Sequence, residues 1–269
     1  MGRGIAYLGG LAGYDVKLYD ITEHIVHDAM ILVEATFEKA VEKGRLDNSE
    51  AHKALSRIEG THSLEAGVRE ADLVIEAVPE DLVLKRDLLA QVDVLTGAET
   101  ITASNTSSIS ITVLSGVLQR PDRFVGMHFF NPPHAMKLIE IVAGRETSEA
   151  TVEEIRTVAL KMGKEPIVVR DAPGFATSRL GVAIGLEGIR MLEEGVATAE
   201  DIDKAMELGY NHPMGPLRLT DLVGLDVRLG IAEYLSKELG ARFEPPRLLR
   251  DKVARGELGK KSGKGFYDW

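Results

Sequence analysis

The chain has 269 residues, 32 Lys and Arg against 42 Asp and Glu for a net charge of −10, 44% hydrophobic residues and no cysteine. That much apolar side chain excludes an intrinsically disordered protein, and the lack of cysteine excludes a disulfide framework, thiolate catalysis and a Cys-ligated metal. No run of about 18 apolar residues or signal-peptide stretch is visible, and the acidity argues against nucleic acid as the main partner, so the expectation is a cytoplasmic protein with neither membrane nor nucleic-acid partner.

In chain order, Gly2 to Gly13 is small and apolar and reads as a helix ending at a glycine. Tyr14 to Asp20 alternates apolar and polar residues, a strand closing on an acid. Thr22 is a candidate N-cap for a long helix with Val26, Met30, Val33, Phe37 and Val41 at helical spacing. A second helical stretch around Leu55 follows, then strands near Ile58 to Thr61 and Asp72 to Val78. A helix from Asp81 to about Val92 is expected to bury Leu84, Leu88 and Gln91 or Val92, and Thr100 to Ala103 reads as a strand.

The alternation continues through strands at 123–128, 137–142 and 165–170, with a helix at 148–162. This pattern predicts a mostly parallel sheet covered by helices on both faces. From Pro173 the spacing is helical only: 175–194, 198–208, 219–239 and 246–255. The expected division is therefore an α/β domain over 1–171 and an all-α domain over 172–269.

A helix, then a strand ending in Asp20, then further alternating units matches a dinucleotide-binding half after its glycine turn. An acid in that place bonds ribose hydroxyls and repels a 2′-phosphate, which favours NAD over NADP. From pattern alone Asp20 reads as readily as the plain end of a strand, and only Gly2 of a glycine fingerprint is visible.

Six segments carry a more specific signal: Ala103-Ser104-Asn105-Thr106-Ser107-Ser108, His128-Phe129-Phe130-Asn131-Pro132, Met136-Lys137-Leu138-Ile139-Glu140, Pro173-Gly174-Phe175, His212-Pro213-Met214-Gly215-Pro216 and Gly263-Lys264-Gly265-Phe266-Tyr267. In this order they resemble the 3-hydroxyacyl-CoA dehydrogenase family over essentially the whole chain. The resemblance implies a Rossmann-type domain followed by a helical domain that shapes the substrate cleft and forms a homodimer. It implies oxidation of a 3-hydroxyacyl-CoA to the 3-ketoacyl-CoA with NAD as cofactor, in fatty acid metabolism by beta-oxidation.

Residue by residue, the resemblance implies His128 as general base, Glu140 as its carboxylate partner and Ser107 as the serine that bonds the substrate oxygen. Gly2, Asp20, Glu80, Lys85 and Asn105 fall at cofactor positions, and Asn131, Ser178, Thr36 and Lys43 at substrate or CoA positions. No metal is expected: His24 and His27 share a helix face but lack a third ligand.

The residue types suit this chemistry. Histidine cycles between protonation states near neutral pH, and a carboxylate on its second ring nitrogen fixes the tautomer and stabilises the imidazolium. A serine hydroxyl can donate to a developing oxyanion. Without the resemblance, His128 reads as readily as a structural histidine, and the Ser/Thr cluster at 104–108 reads as a helix cap that also touches substrate. The three aromatics Phe266, Tyr267 and Trp269 predict a C-terminal tail that docks.

Two features depart from the family pattern. Ser178 stands where many members carry Asn, replacing an amide by a shorter hydroxyl. Gly2 matches only the last glycine of the Gly-x-Gly-x-x-Gly turn, so the expectation is that the first Rossmann strand, about ten residues with its turn, lies outside this sequence and that Met1 is an internal methionine of that turn. Two other readings remain: a dehydrogenase of a free hydroxy acid, and a non-catalytic relative serving as a binding or structural protein.

Overall fold

The computed structural model describes residues 1–269 and divides into two compact units, Met1–Asp171 and Ala172–Trp269. The first unit runs α1 (Gly2–Leu11), β1 (Val16–Tyr19), α2 (Glu23–Glu42), α3 (Asn48–Leu55), β2 (Ile58–Thr61), α4 (Leu64–Val68) and β3 (Leu73–Glu76). It continues with α5 (Leu82–Leu95), β4 (Ile101–Ser104), α6 (Ile111–Ser115), β5 (Phe124–Phe129), β6 (Leu138–Ala143), α7 (Glu149–Lys161) and β7 (Glu165–Arg170).

Helix starts follow local chemistry. Thr22, Asp81, Ser110 and Ser148 each accept a backbone N–H from the first turn of α2, α5, α6 and α7, and Asp47 with Glu50 forms a reciprocal capping box on α3. The cap of α6 is thus Ser110, not the Ser/Thr cluster at 104–108.

The sheet is in two pieces, ordered β2-β1 and β3-β4-β5-β6-β7, and parallel except for the antiparallel pair β5–β6. On β1 and on β3 one edge carries no strand partner. Every residue of β4 and β5 is buried, the continuous pattern of a sheet covered on both faces. Pro166 is accommodated because β7 is an edge strand. The core joins α1 (Ile5, Leu8) and α2 (Val33, Phe37) to Ala103, Met127 and Ile141 of the sheet.

On α5 the buried face is rotated from the sequence expectation. Leu84 is 44% exposed, and Lys85, Leu89 and Val92 face inward. A lysine at the core position defeats a pattern argument, because only an acid elsewhere in the fold makes its burial tolerable.

The second unit is helical: α8 (Thr177–Glu193), α9 (Ala199–Tyr210), α10 (Pro216–Val223), α11 (Leu225–Leu239) and α12 (Arg247–Ala254), around Val182, Leu186, Ile189, Leu217, Leu225, Leu235 and Leu249. The expected single helix over 219–239 is two helices, because Gly224 at φ 102° breaks the run. Gly215 permits a close approach, since a Cβ there would lie 2.2 Å from the Cβ of Asp203. The Asp203 carboxylate thereby reaches the amides of Leu217 and Arg218, at 2.8 and 2.9 Å, and caps α10.

The tail docks as expected. Asp221, fully buried, accepts from the backbone N–H groups of Phe266 and Tyr267 and from the Trp269 indole, each at 2.9 Å. The Tyr267 hydroxyl donates to Asp203 at 2.6 Å, and burial together with that carboxylate pushes the phenol above its ordinary pKa.

Candidate active site

The antiparallel register of β5 on β6 sets His128 directly opposite Glu140. Side chains of directly opposed residues leave the sheet on the same face, and here His128 Nδ1 lies 2.7 Å from Glu140 Oε2. Glu140 has no exposed surface and His128 is 7% exposed, so the pair sits in a shielded environment where a charge-assisted hydrogen bond is strong. The Phe130 ring lies 4.6 Å from the imidazole, centroid to centroid, and walls one side. With Nδ1 committed to a carboxylate, substrate chemistry falls to Nε2.

Asn105 follows β4, and its Oδ1 accepts from the Phe129 backbone N–H at 2.9 Å, which ties the end of β5 beside His128. The next residues form a turn organised by Glu80. Five donors converge on Glu80 Oε1: the Thr106 hydroxyl (2.7 Å), the Ser107 amide (2.9 Å) and hydroxyl (3.2 Å), and the Ser108 amide and hydroxyl (both 3.0 Å). A carboxylate oxygen offers about two lone-pair directions, so the donors are in surplus. The Ser107 hydroxyl makes the longest of these contacts, on an exposed residue, and is the one most readily released to a substrate oxygen. Partial burial opposes ionisation of Glu80, but the Thr106, Ser107 and Ser108 hydrogen bonds and the nearby Lys85 outweigh it and hold the carboxyl below its usual range.

Lys85, which the resemblance sets at a cofactor position, is bound up in a buried charge network. It is 1% exposed, and its ammonium lies 2.7 Å from Glu76 Oε1, 3.1 Å from the Val78 carbonyl and 3.4 Å from Glu80 Oε2. Three partners match the three donors of an ammonium, so its part is to hold Glu80 and balance Glu76. Glu76 was not singled out in the sequence. It is 4% exposed, and its second oxygen accepts from the Ser104 hydroxyl at 2.6 Å. An acid at a strand end carries no sequence signal of burial; only the buried lysine nine residues on hints at a partner.

Lys164 is a second residue that pattern reading missed. Its ammonium donates to the Pro133 and Met136 carbonyls, fastening the segment between β5 and β6. Burial lowers its pKa.

The cofactor positions can be tested against a dinucleotide. Gly2 opens α1, which has no side-chain cap, and a Cβ on Gly2 would meet Ala77, just past β3, at 3.8 Å. Asp20 directly follows β1, its Oδ1 accepting from the Ile21 amide, while Glu80 and Asn105 lie beyond β3 and β4. Ligands of open α/β sheets lie past the carboxyl ends of parallel strands, where Asp20, Glu80 and Asn105 stand. This set fits NAD.

The remaining expected positions are more scattered. Asn131 is exposed beyond β5. The Thr36 hydroxyl donates to the Leu32 carbonyl at 2.7 Å within α2, and Lys43 is that helix's C-cap. Ser178 lies in the first turn of α8, in the second unit. No group of three or more His, Asp or Glu is arranged to hold a metal ion, and no helix is long and apolar enough to cross a membrane.

Comparison with known proteins agrees with this geometry. Residues 1–172 match the family model "3-hydroxyacyl-CoA dehydrogenase, NAD binding domain", and residues 174–269 match "3-hydroxyacyl-CoA dehydrogenase, C-terminal domain". The chain is 42% identical over 270 residues to a probable 3-hydroxybutyryl-CoA dehydrogenase of Bacillus subtilis, covering 100% of this chain and 94% of the relative. It is 38% identical to a 3-hydroxybutyryl-CoA dehydrogenase of Clostridioides difficile, covering 100% and 96%. The crystal structure of (S)-3-hydroxybutyryl-CoA dehydrogenase from Ralstonia eutropha superposes with a TM-score of 0.96 at 40% identity, covering 100% and 95%. With both halves matched in order, a shared fold and identities near two fifths over its full length, the chain belongs to the 3-hydroxyacyl-CoA dehydrogenase family.

Proposed function

We propose that this protein catalyses the NAD-dependent oxidation of a 3-hydroxyacyl-CoA to the 3-ketoacyl-CoA, with His128 as the base. The observation that carries the reading is the buried His128–Glu140 pair at 2.7 Å, set by strand register. Bound NAD supplies the hydride acceptor for the hydrogen on C3. His128 Nε2 takes the 3-hydroxyl proton, and Glu140 stabilises the resulting imidazolium through Nδ1. The Ser107 hydroxyl, drawn from its surplus position on Glu80, donates to the substrate oxygen as carbonyl character develops.

On the cofactor side we assign Gly2 and Asp20 to the dinucleotide and Glu80 and Asn105 to the walls of its nicotinamide end, with Lys85 holding Glu80. Asn131, Thr36, Lys43 and Ser178 are proposed substrate contacts, supported by the family resemblance. A short acyl chain is favoured by relatives that carry the name 3-hydroxybutyryl-CoA dehydrogenase. CoA thioesters and NAD are intracellular pools, which supports a cytoplasmic place in the beta-oxidation of fatty acids. The half-exposed apolar side chains on the second unit support a homodimer.

The test is NADH formation with 3-hydroxybutyryl-CoA against free 3-hydroxybutyrate. Turnover of the thioester alone is expected; turnover of the free acid alone, or of neither, overturns the proposal. In the same assay His128→Gln is expected to lower kcat by about 10²- to 10⁴-fold with NAD affinity retained in a fluorescence titration. Loss of NAD binding in that variant would count against the assigned role.

A further inference from the structure

Lys164 is a buried cation that the proposed reaction does not use. It stands between α7 and β7, 5% exposed, and no carboxylate pairs with its ammonium. Taking an ammonium out of water without a counter-charge is costly, so what it holds there matters.

The backbone around Lys164 is fixed on both sides. Its amide donates to the Ala159 carbonyl at 3.0 Å, at the end of α7, and the next amide, that of Glu165, donates to the Lys137 carbonyl at 2.9 Å. From this base the side chain reaches residues 130–137, which join β5 to β6. The Pro133 and Met136 carbonyls both accept from the ammonium, the second at 2.8 Å, and neither takes a backbone donor.

Little else restrains this connection. Of its residues only Pro133 is buried, and that ring rests on α1, where a Cβ on Gly4 would lie 3.0 Å from the proline Cγ. The His134 ring stands edge-on to Tyr7 of α1, centroids 6.1 Å apart. The Ala135 and Met136 amides donate to the Pro132 carbonyl, each at 3.1 Å, which closes a turn. One ammonium thus ties both ends of that turn to the α7–β7 corner.

The connection begins with the two residues nearest the chemistry. Phe130 lies 4.6 Å from the His128 imidazole, and Asn131 is an assigned substrate contact. A shift of about 1 Å in a group that orients a substrate can cost about 10²-fold in rate.

We propose that Lys164 is a positioning residue for the reaction: its ammonium holds residues 130–137 so that Phe130 and Asn131 set the substrate against His128. This rests on the reaction proposed above and adds a residue to it. The test compares the wild type with Lys164→Met, which keeps the length and removes the donors, and Lys164→Arg, which keeps donors and charge. Four quantities are read: kcat and KM with 3-hydroxybutyryl-CoA, NAD affinity by fluorescence titration, hydrogen exchange at the Ala135 and Met136 amides, and Tm.

Lys164→Met is expected to lower kcat/KM by about 10²-fold, part of it as a raised KM, with NAD affinity retained and exchange at Ala135 and Met136 quickened. Lys164→Arg should recover part of each loss. Added to Asn131→Ala, Lys164→Met should raise KM little further, because residues acting through one contact are not additive. Quickened exchange with kcat and KM unchanged overturns the positioning role and leaves a tether for the fold. A lower kcat with KM unchanged and a lower Tm overturns it in favour of a smaller folded fraction. Changed kinetics with unchanged exchange, or a KM effect fully additive with Asn131→Ala, overturns the route through this connection. If Lys164→Met does not fold, Lys164→Gln, whose amide ends one bond shorter, is held to the same outcomes. A wild type inactive on the thioester overturns the proposed reaction and this role with it, whereas failure of this inference alone shows only in the variants.

Discussion

Glu80 is where charge, hydrogen bonding and chemistry meet most closely. Its carboxyl is held below the usual range because five donors and Lys85 favour the charged form more than partial burial disfavours it. A group whose folded pKa is depressed contributes stability above its unfolded pKa, and that contribution is lost as pH falls through the folded value. Glu80 therefore stabilises the first unit at neutral pH and ceases to do so in acid, below the ordinary glutamate range. Urea melts from neutral pH into that range should show a steeper acid loss for the wild type than for Glu80→Gln, the two curves converging at the acid end. Parallel curves would remove Glu80 from this role. The hydroxyl of Ser107 depends on the same carboxylate, so Glu80→Gln should also raise KM for the acyl-CoA.

Among the elements, the registered pair β5–β6 and the C-terminal tail do different work. Strand pairing places His128 and Glu140 face to face because an antiparallel register fixes which residues oppose. The tail is held by polar groups: three donors from Phe266, Tyr267 and Trp269 end on one buried carboxylate, Asp221. Asp221→Asn keeps one acceptor oxygen and brings two donors of its own into a donor-rich pocket. The expected cost is about 1–3 kcal/mol, read as a lower Cm in denaturant, with amide exchange quickened over residues 258–269. Unchanged exchange there would show that the aromatic packing of Phe266 and Tyr267 suffices. The split of the expected helix 219–239 at Gly224 matters here as well, because it turns α10 so that Asp221 faces the tail while Arg228 on α11 faces α8.

Across the whole molecule, the division into Met1–Asp171 and Ala172–Trp269 separates cofactor binding from the helical unit in sequence. All the assigned dinucleotide positions, from Gly2 to Asn105, belong to the first unit. NAD at about 100 times its Kd should therefore add about 2.7 kcal/mol to the stability of that unit. Hydrogen exchange should place the main gain in protection at the ends of β1, β3 and β4 and the start of α1. Protection confined to the second unit would contradict the assignment.

Much was legible in the residues themselves. Alternating periodicities predicted the α/β unit and the helical unit behind it, since hydrophobic spacing reports which face of an element is covered. The ordered motifs from Asn105 to Tyr267 carried the family, the cofactor and the candidate base, and the aromatic tail announced its own docking. Folding alone decided the rest. Glu76, Lys85 and Glu80 became one network because β3, α5 and the turn after β4 converge. A lysine took a core position on α5, Gly224 cut a helix in two, and Arg228 was buried with its Nε left without a hydrogen bond. Periodicity is a local property and survives in the sequence; the pairing of charges depends on residues far apart along the chain being brought within about 3 Å, and that is settled only when the tertiary structure forms.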